Sequence, residues 1–444
     1  MRPSFACFFV SFVGIFAPAV LVRAAEPIDL AAVFKRAEEL NASVLTGREA
    51  AVQARATADG QRSGLLPNVS LRAQQQRSEA ITVTKLAATT NPAAGRFDGQ
   101  LNGSLSLLNL QQIAAFRSAK RGADAAEADA EFTLQSALAG AGGFYFTQLR
   151  NQERDVVLAA NVARAQELLT LARHQLDAGI SPVTQIDVTR AEAQVAQARL
   201  AQLQNETTTK QGAQQLLLSL DYDVVQPLAL KTVNLFAQPT PSSIAQLTVR
   251  EQATAKFFAR RSDWRRTQRA LEQARLDEQA ASYERAPSVA LTGSYGQGGA
   301  YFDTDKQDEW AGAVAVTVPI FDGLKSRADR RVALSKRRVQ EIKLHALENQ
   351  IKAEIDAAEQ DANSRFQQID VARQNLRLAE DQLRLAEVRF KNGVADNREI
   401  IDAQNQLALA NDNVIEAQYR YNLSRVELAR AKGEVRDLLS EKTE

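Results

Sequence analysis

The sequence predicts a mainly α chain with a small β part, built as two repeats of one elongated unit. Three observations predict it. Val162, Ala165, Leu169, Ala172 and Leu176 alternate large and small at spacings of three and four, and the run stops at Gly179. Leu376, Ala379, Leu383, Ala386 and Phe390 do the same before Gly393, each 214 residues further on. Each run follows a pair of short stretches in which apolar and polar residues strictly alternate, the period of a strand. A three–four apolar rhythm is a coiled-coil seam, and alanine at alternate positions lets helices approach closely. Repetition on this scale sets the architecture before any single residue is read.

The ends and the composition narrow the class. The chain has 444 residues, 45% of them hydrophobic, enough to bury a sizeable core. Its 54 basic and 53 acidic residues balance, so nothing points to nucleic acid. Arg2, an apolar run from Phe5 to Phe16, Pro18, and the small residues Val22 and Ala24 read as a signal peptide over 1–24, with a mature start at Ala25. The only cysteine, Cys7, lies inside it, without a lipobox. No other stretch approaches 18 apolar residues, so if this exported chain crosses a membrane, strands must do it.

The elements follow in order. Asp29 as N-cap opens a helix over 29–62, ended by Leu66-Pro67. Val69, Leu71 and Ala73 alternate with Ser70, Arg72 and Gln74, and Ile81 and Val83 extend this first strand. Leu101, Gly103, Leu105 and Leu107 against Asn102, Ser104 and Ser106 make the second. From about 110 to 178 there is no proline, which predicts a helix on the order of 100 Å long, with Gly142-Gly143 as the candidate bend point. Ser181-Pro182 is expected to start the return helix, running to about Leu220. The turn-rich stretch 221–243 reads as a connector. The second half repeats the order: helix from about 244 to 285 with a break near Arg261-Ser262, a strand through Val289, Leu291 and Gly293, and a partner through Val314, Val316, Val318 and Ile320. A long helix over about 321–391 and a last helix over 397–432 close it. The seam of the last helix is Ile400, Ala403, Leu407, Ala410, Val414, Ala417, Tyr421, Ser424 and Leu428.

Each of the four strands has an apolar face and a polar one, as lipid on one side and water on the other would select. Four strands cannot close a barrel, and open edges are not tolerated in lipid. Closure must come from several chains. Two would give eight strands around a filled interior, and three would give twelve around a wet one. The polar inner face favours three.

Val318-Pro319-Ile320-Phe321-Asp322-Gly323, Arg389-Phe390-Lys391-Asn392-Gly393-Val394-Ala395-Asp396 and Glu399-Ile400-Ile401-Asp402-Ala403-Gln404 resemble the TolC-type outer-membrane efflux channels, and the likeness spans the mature chain. The first half departs: Asn109-Leu110-Gln111-Gln112 replaces the aromatic–Asp–Gly passage, and its turn has two extra residues. The resemblance implies a homotrimer. A twelve-stranded β-barrel sits in outer-membrane lipid and continues into a periplasmic helical tunnel, which meets a periplasmic adaptor (membrane fusion) protein and through it an inner-membrane pump. It implies an exit duct for small molecules or proteins that performs no chemistry and needs no cofactor. Gly179, Ile180 and Ser181, with Gly393, Val394 and Ala395, become adaptor-contact tips, although both glycines also serve as plain helix C-caps. Glu399 and Asp402, six and nine residues after Gly393 and on one helical face, become the lumenal gate. Glu399 also suits a capping box with Asp396. Phe390 stands where the family has an aromatic that locks the closed tip.

The division read from the sequence is 1–24 signal peptide, 25–220 first repeat, 221–243 connector, 244–432 second repeat and 433–444 tail. The rival is a periplasmic coiled-coil adaptor or structural protein of an export system, but two hairpins and no flanking lipoyl-type β segment argue against it. An exported enzyme finds no nucleophile–base pair or metal cluster, and His174 and His345 stand apart. Asp303, Asp305, Asp308 and Glu309 lack calcium-loop spacing and read as a solvated hairpin tip. Tyr301, Phe302 and Trp310 read as an interfacial aromatic girdle. Lys325, Arg327, Arg330 and Arg331 read as a solvated helix face.

Overall fold

The computed structural model describes residues 28–83, 88–179, 184–221, 230–231, 257–300, 307–392, 394 and 397–438. The elements are α1 (Leu30–Leu40), α2 (Ala42–Ser63), β1 (Asn68–Val83), β2 (Ala88–Leu108), α3 (Leu110–Asp177), α4 (Gln185–Ser219), α5 (Ser262–Ser282), β3 (Ser288–Ala300), β4 (Gln307–Thr317), α6 (Lys325–Lys391) and α7 (Asn397–Lys432). Helix, strand pair and long helical hairpin thus occur twice. The expected signal peptide, most of the connector, and Tyr301 and Phe302 lie outside the described residues.

Asp29 caps α1 as its residue type predicts, accepting from the Ala32 N–H at 2.7 Å. The single helix expected over 29–62 is two. Asn41 breaks it, ending α1 through its own N–H to the Ala37 carbonyl and opening α2 by accepting from the Ser43 N–H at 3.0 Å. Its amide also donates to the Ser219 carbonyl at 3.0 Å, which ties the break to the end of α4.

The four strands form one antiparallel sheet in the order β1-β2-β3-β4. Val69, Gly103, Gly293 and Gly312 share one row, and Ser70, Asn102, Ser294 and Ala311 share the next. Val318 and Ile320, expected in the last strand, lie beyond it. Pro319 has no N–H to give a ladder. The following helix starts at Lys325 rather than 321, because Gly323 and Leu324 both turn through positive φ. Asp322 steadies that turn by accepting from the Leu324 and Ser326 N–H groups at 3.1 and 3.0 Å. These bonds, the one to Ser326 above all, hold its carboxyl below the usual carboxylate range.

The long helix α3 packs along α2, α4, α5 and α7, and α6 packs along α5 and α7. In the second hairpin the predicted seam is buried: Ala379, Leu383, Ala386 and Phe390 face Ile400, Ala403, Leu407 and Ala410. In the first hairpin the buried line is Ala165, Leu168 and Ala172, so Leu168 takes the place expected for Leu169. The largest core lies at mid-length. There Leu30, Val33 and Phe34 of α1 cover Leu134, Leu138, Tyr145 and Phe146 of α3, with Leu216, Leu220, Val426 and Val435 closing it. At Gly142, a Cβ would stand 3.3 Å from the Phe34 ring, so this glycine admits the ring to α3. Close packing is a role the sequence did not reveal there.

Candidate functional site: the hairpin tips and the sheet faces

The first tip opens on Gly179, whose φ of +65° is the left-handed conformation that favours glycine. The return helix does not begin at Ser181-Pro182. Thr184 is the N-cap of α4, in a reciprocal capping box with Asp187: the Thr184 N–H donates to Asp187 Oδ2 at 2.9 Å. Burial alone would raise the Asp187 carboxyl. The Thr184 hydroxyl and N–H, with Arg190 Nη1 at 3.3 Å, outweigh it and hold the group below its ordinary value.

At the second tip, Gly393, Ala395 and Asp396 lie outside the described residues, as do Ile180 and Ser181 of the first. Val394 is exposed, and its N–H donates to the Arg389 carbonyl at 2.9 Å. Phe390 is buried in the seam of its own hairpin, in the cluster that holds Ile400. Glu399 and Asp402 lie in the first turns of α7, with side chains 37% and 70% exposed. Arg389 Nη1 stands 3.3 Å from Glu399, and Arg398 Nε stands 4.0 Å from Asp402. Each carboxylate therefore has a guanidinium in reach. Exposed pairs of this kind are screened and weak, so the acidic character of the turn is reduced without being cancelled.

Sequence reasoning missed Asn397. It is 1% exposed, and its Nδ2 donates to the Asp187 carbonyl at 3.1 Å, joining the two tips within one chain. The signal was present: Asn397 lies three residues before Ile400, a polar residue on the apolar rhythm. A buried polar group in such a place needs a partner. Further along, Gln194 Nε2 donates to Asn405 Oδ1 at 2.6 Å, and Arg154 grips Asp412 with two bonds of 2.5 and 2.8 Å.

At the other end, the sheet's faces separate as the alternation predicts. Val69, Leu71, Leu101, Leu291, Val314 and Val316 are exposed on one side. Tyr295 and Trp310, paired across β3 and β4, mark the far end of that apolar band. The opposite side curves around a hollow of about 320 Å³ lined by small polar groups, among them Asn68, Ser70, Asn102 and Ser294. The concave face is thus the polar one. Among the described residues no helix is long and apolar enough to cross a membrane, and no cluster of side chains could hold a metal ion.

The sequence model of the outer membrane efflux protein family matches residues 33–220 and 256–434. The chain belongs to that family. An outer membrane efflux protein is the exit duct of an efflux system, with strands in the outer membrane and helices in the periplasm. The two matched segments each hold one helix–strand pair–hairpin unit of this efflux protein. It is 22% identical over 416 residues to outer membrane protein TolC of Vibrio cholerae, covering 91% of this chain and 90% of that one. Among solved structures, the outer-membrane channel OprN matches with a TM-score of 0.79 at 19% identity, over 91% of this chain and 90% of that one. The Campylobacter jejuni CmeC outer membrane channel matches at 0.78 and 19%, over 91% and 86%. At these identities the solved structures fix the fold. The adaptor alternative is set aside by the family match.

Proposed function

We propose that three copies of this efflux protein close one twelve-stranded barrel, passing small molecules or proteins outward and catalysing nothing. The observation that carries this reading is the sheet itself. It has four strands, an apolar convex face, a polar concave face, and β1 and β4 as outer edges that lipid would not tolerate open. The helices continue the duct into the periplasm, with the two repeats as 25–220 and 244–432 and 221–243 as the connector. The tips, Gly179, Ile180 and Ser181 with Gly393, Val394 and Ala395, form the end that meets a periplasmic adaptor and, through it, an inner-membrane pump. Small residues there let two helical tips interdigitate.

In the trimer, Glu399 and Asp402 form a ring of six carboxylates at the narrow end, a ring that favours cations. Phe390 acts from within its hairpin, holding the α6–α7 seam on which the closed tip depends. Planar-bilayer recording tests the reading. The protein gives discrete conductance steps blocked by trivalent cations from the tip side, and Glu399→Ala with Asp402→Ala weakens that block. Conductance with undiminished block removes the gate assignment, and absence of conductance with recovery as a soluble monomer overturns the duct.

A further inference from the structure

The concave face of the sheet changes character along its length. Toward the helices its rows are small and uncharged, among them Asn68, Ser104, Thr292 and Ala313, then Ser70, Asn102, Ser294 and Ala311. The next rows carry charge. Arg72, Gln100, Gly296 and Glu309 share one; Gln74, Asp98, Gly298 and Gln307 share the next; Arg96 follows two residues beyond. Glu309 neighbours Trp310 in the chain, so these charges lie at the depth of the aromatic band on the opposite face.

The charged groups are not scattered. Arg96 Nε donates to Asp98 Oδ1 at 2.6 Å on its own strand, and Arg96 Nη2 donates to Glu309 Oε1 at 2.9 Å on β4. Because β3 lies between β2 and β4, the guanidinium must cross it. Gly298 makes room. A Cβ there would stand 2.7 Å from Asp98 Oδ1, 2.9 Å from Arg96 Nη2 and 3.3 Å from Glu309 Oε1. The ions occupy the volume that any side chain at Gly298 would need.

We propose that Arg96, strapped across Gly298 between Asp98 and Glu309, is the residue that sets the charge preference of the duct's outer mouth. The inference rests on the barrel reading, which makes the concave face the lumen. Two carboxylates per chain, six per trimer, would otherwise line this level and retain cationic solutes while repelling anions. Arg96 cancels one of them directly, and Arg72 brings a second cation to the row of Glu309. Among the described residues this level of the wall is thereby close to neutral, so solutes of either sign pass it without retention. Cation preference is confined to the tip. The strap also anchors the edge strand β4 to β2, beyond what the backbone ladder supplies.

The test uses local electrostatic potential, which a purely structural role would not move. Cys7 is the chain's only cysteine and lies in 1–24, read as removed on export. A single cysteine at Gln100→Cys, on the concave face beside the cluster, is labelled from outside with a cationic and an anionic methanethiosulfonate. The ratio of the two rates reports the potential. With Arg96 present the ratio stays near that of a free thiol. Arg96→Gln raises it about three- to five-fold, as expected for a unit charge removed at about 10 Å in wet surroundings. Asp98→Asn lowers it, so the sign is checked from the other side even where Arg96→Gln assembles poorly. A ratio that stays within experimental scatter in both variants overturns the proposal. Leu101→Cys, on the convex face, separates the two levels of inference. It is protected in lipid if the barrel reading holds, whereas labelling as fast as Gln100→Cys overturns that reading, and the proposal with it.

Discussion

Asn397→Asp is the substitution that isolates the joint between the two tips. The replacement has nearly the same shape but removes the donor that reaches the Asp187 carbonyl at 3.1 Å. In a site 1% exposed, a carboxylate would face the Asp187 carbonyl oxygen in place of a donor. Losing a buried hydrogen bond costs about 1 kcal/mol, and stranding a buried charged acceptor costs about 2 kcal/mol more. A total of about 3 kcal/mol shifts the balance between joined and parted tips about a hundred-fold. Asn397→Ala behaves differently. It loses the same bond but also removes the Oδ1 atom, which is buried without a partner, so the two effects largely cancel. The sign with pH follows from the same atoms. A protonated carboxyl at 397 can donate to the Asp187 carbonyl again. Burial raises its folded pKa above the usual value of about 3.9, so the joint is restored below that raised value and lost as pH climbs through it. The assay is open time in single-channel recordings between pH 4 and 8. Asn397→Asp is expected to be mostly open at pH 8 and to approach the parent at low pH, with Asn397→Ala near the parent throughout. Equal open times for the two variants at pH 8, or no pH dependence in Asn397→Asp, would refute the reasoning.

Two further outcomes follow from other charged groups of the chain. The Arg261 side chain is buried, held by Asp263 at 2.5 and 2.9 Å, Glu354 at 2.8 Å and the Ala431 carbonyl at 2.9 Å, so Arg261→Met strands Asp263 and costs about 3–5 kcal/mol of thermal stability. Adding Asp263→Leu should recover part of that in differential scanning calorimetry, and a double variant no better than the single would contradict it. Because the Asp187 carboxyl sits below its ordinary value, its support for the start of α4 is complete above the unfolded pKa of about 3.9 and is lost as pH falls through the lower folded value. Amide exchange in the first turns of α4 should therefore accelerate only at strongly acid pH, and Asp187→Asn should remove that acid step.

The long elements were legible because their signals are redundant. For α3, a proline-free run with a seam gave bounds of about 110 and 178, and the helix spans Leu110–Asp177. For α7, nine seam positions fixed a helix that spans Asn397–Lys432. Local chemistry was harder to weigh. Ser181-Pro182 and Thr184-Gln185-Ile186-Asp187 both look like helix starts, and the reciprocal box at Thr184 sets the start of α4. Asn41 breaks the first helix by capping α2 locally and by reaching a distant partner at Ser219, and only the second lies beyond a local rule. Pro319 and the positive φ of Leu324 moved the strand end and helix start at the passage into α6. At the candidate site, the acidic pair at 399 and 402 was visible from spacing and resemblance, whereas its arginine neighbours depend on how the tip folds. The joint from Asn397 to Asp187 spans 210 residues and the strap from Arg96 to Glu309 spans 213, close to the offset between the repeats. Such contacts exist only once the two halves lie side by side, so sequence periodicity could announce the repeats but not what they exchange.

The most direct measurement is native mass spectrometry of the protein extracted from outer membranes in mild detergent. Three copies per particle is the expected result, since twelve strands are needed to enclose the small polar groups of the concave face in water. A particle of one or two copies that still forms a conducting pore would contradict the account.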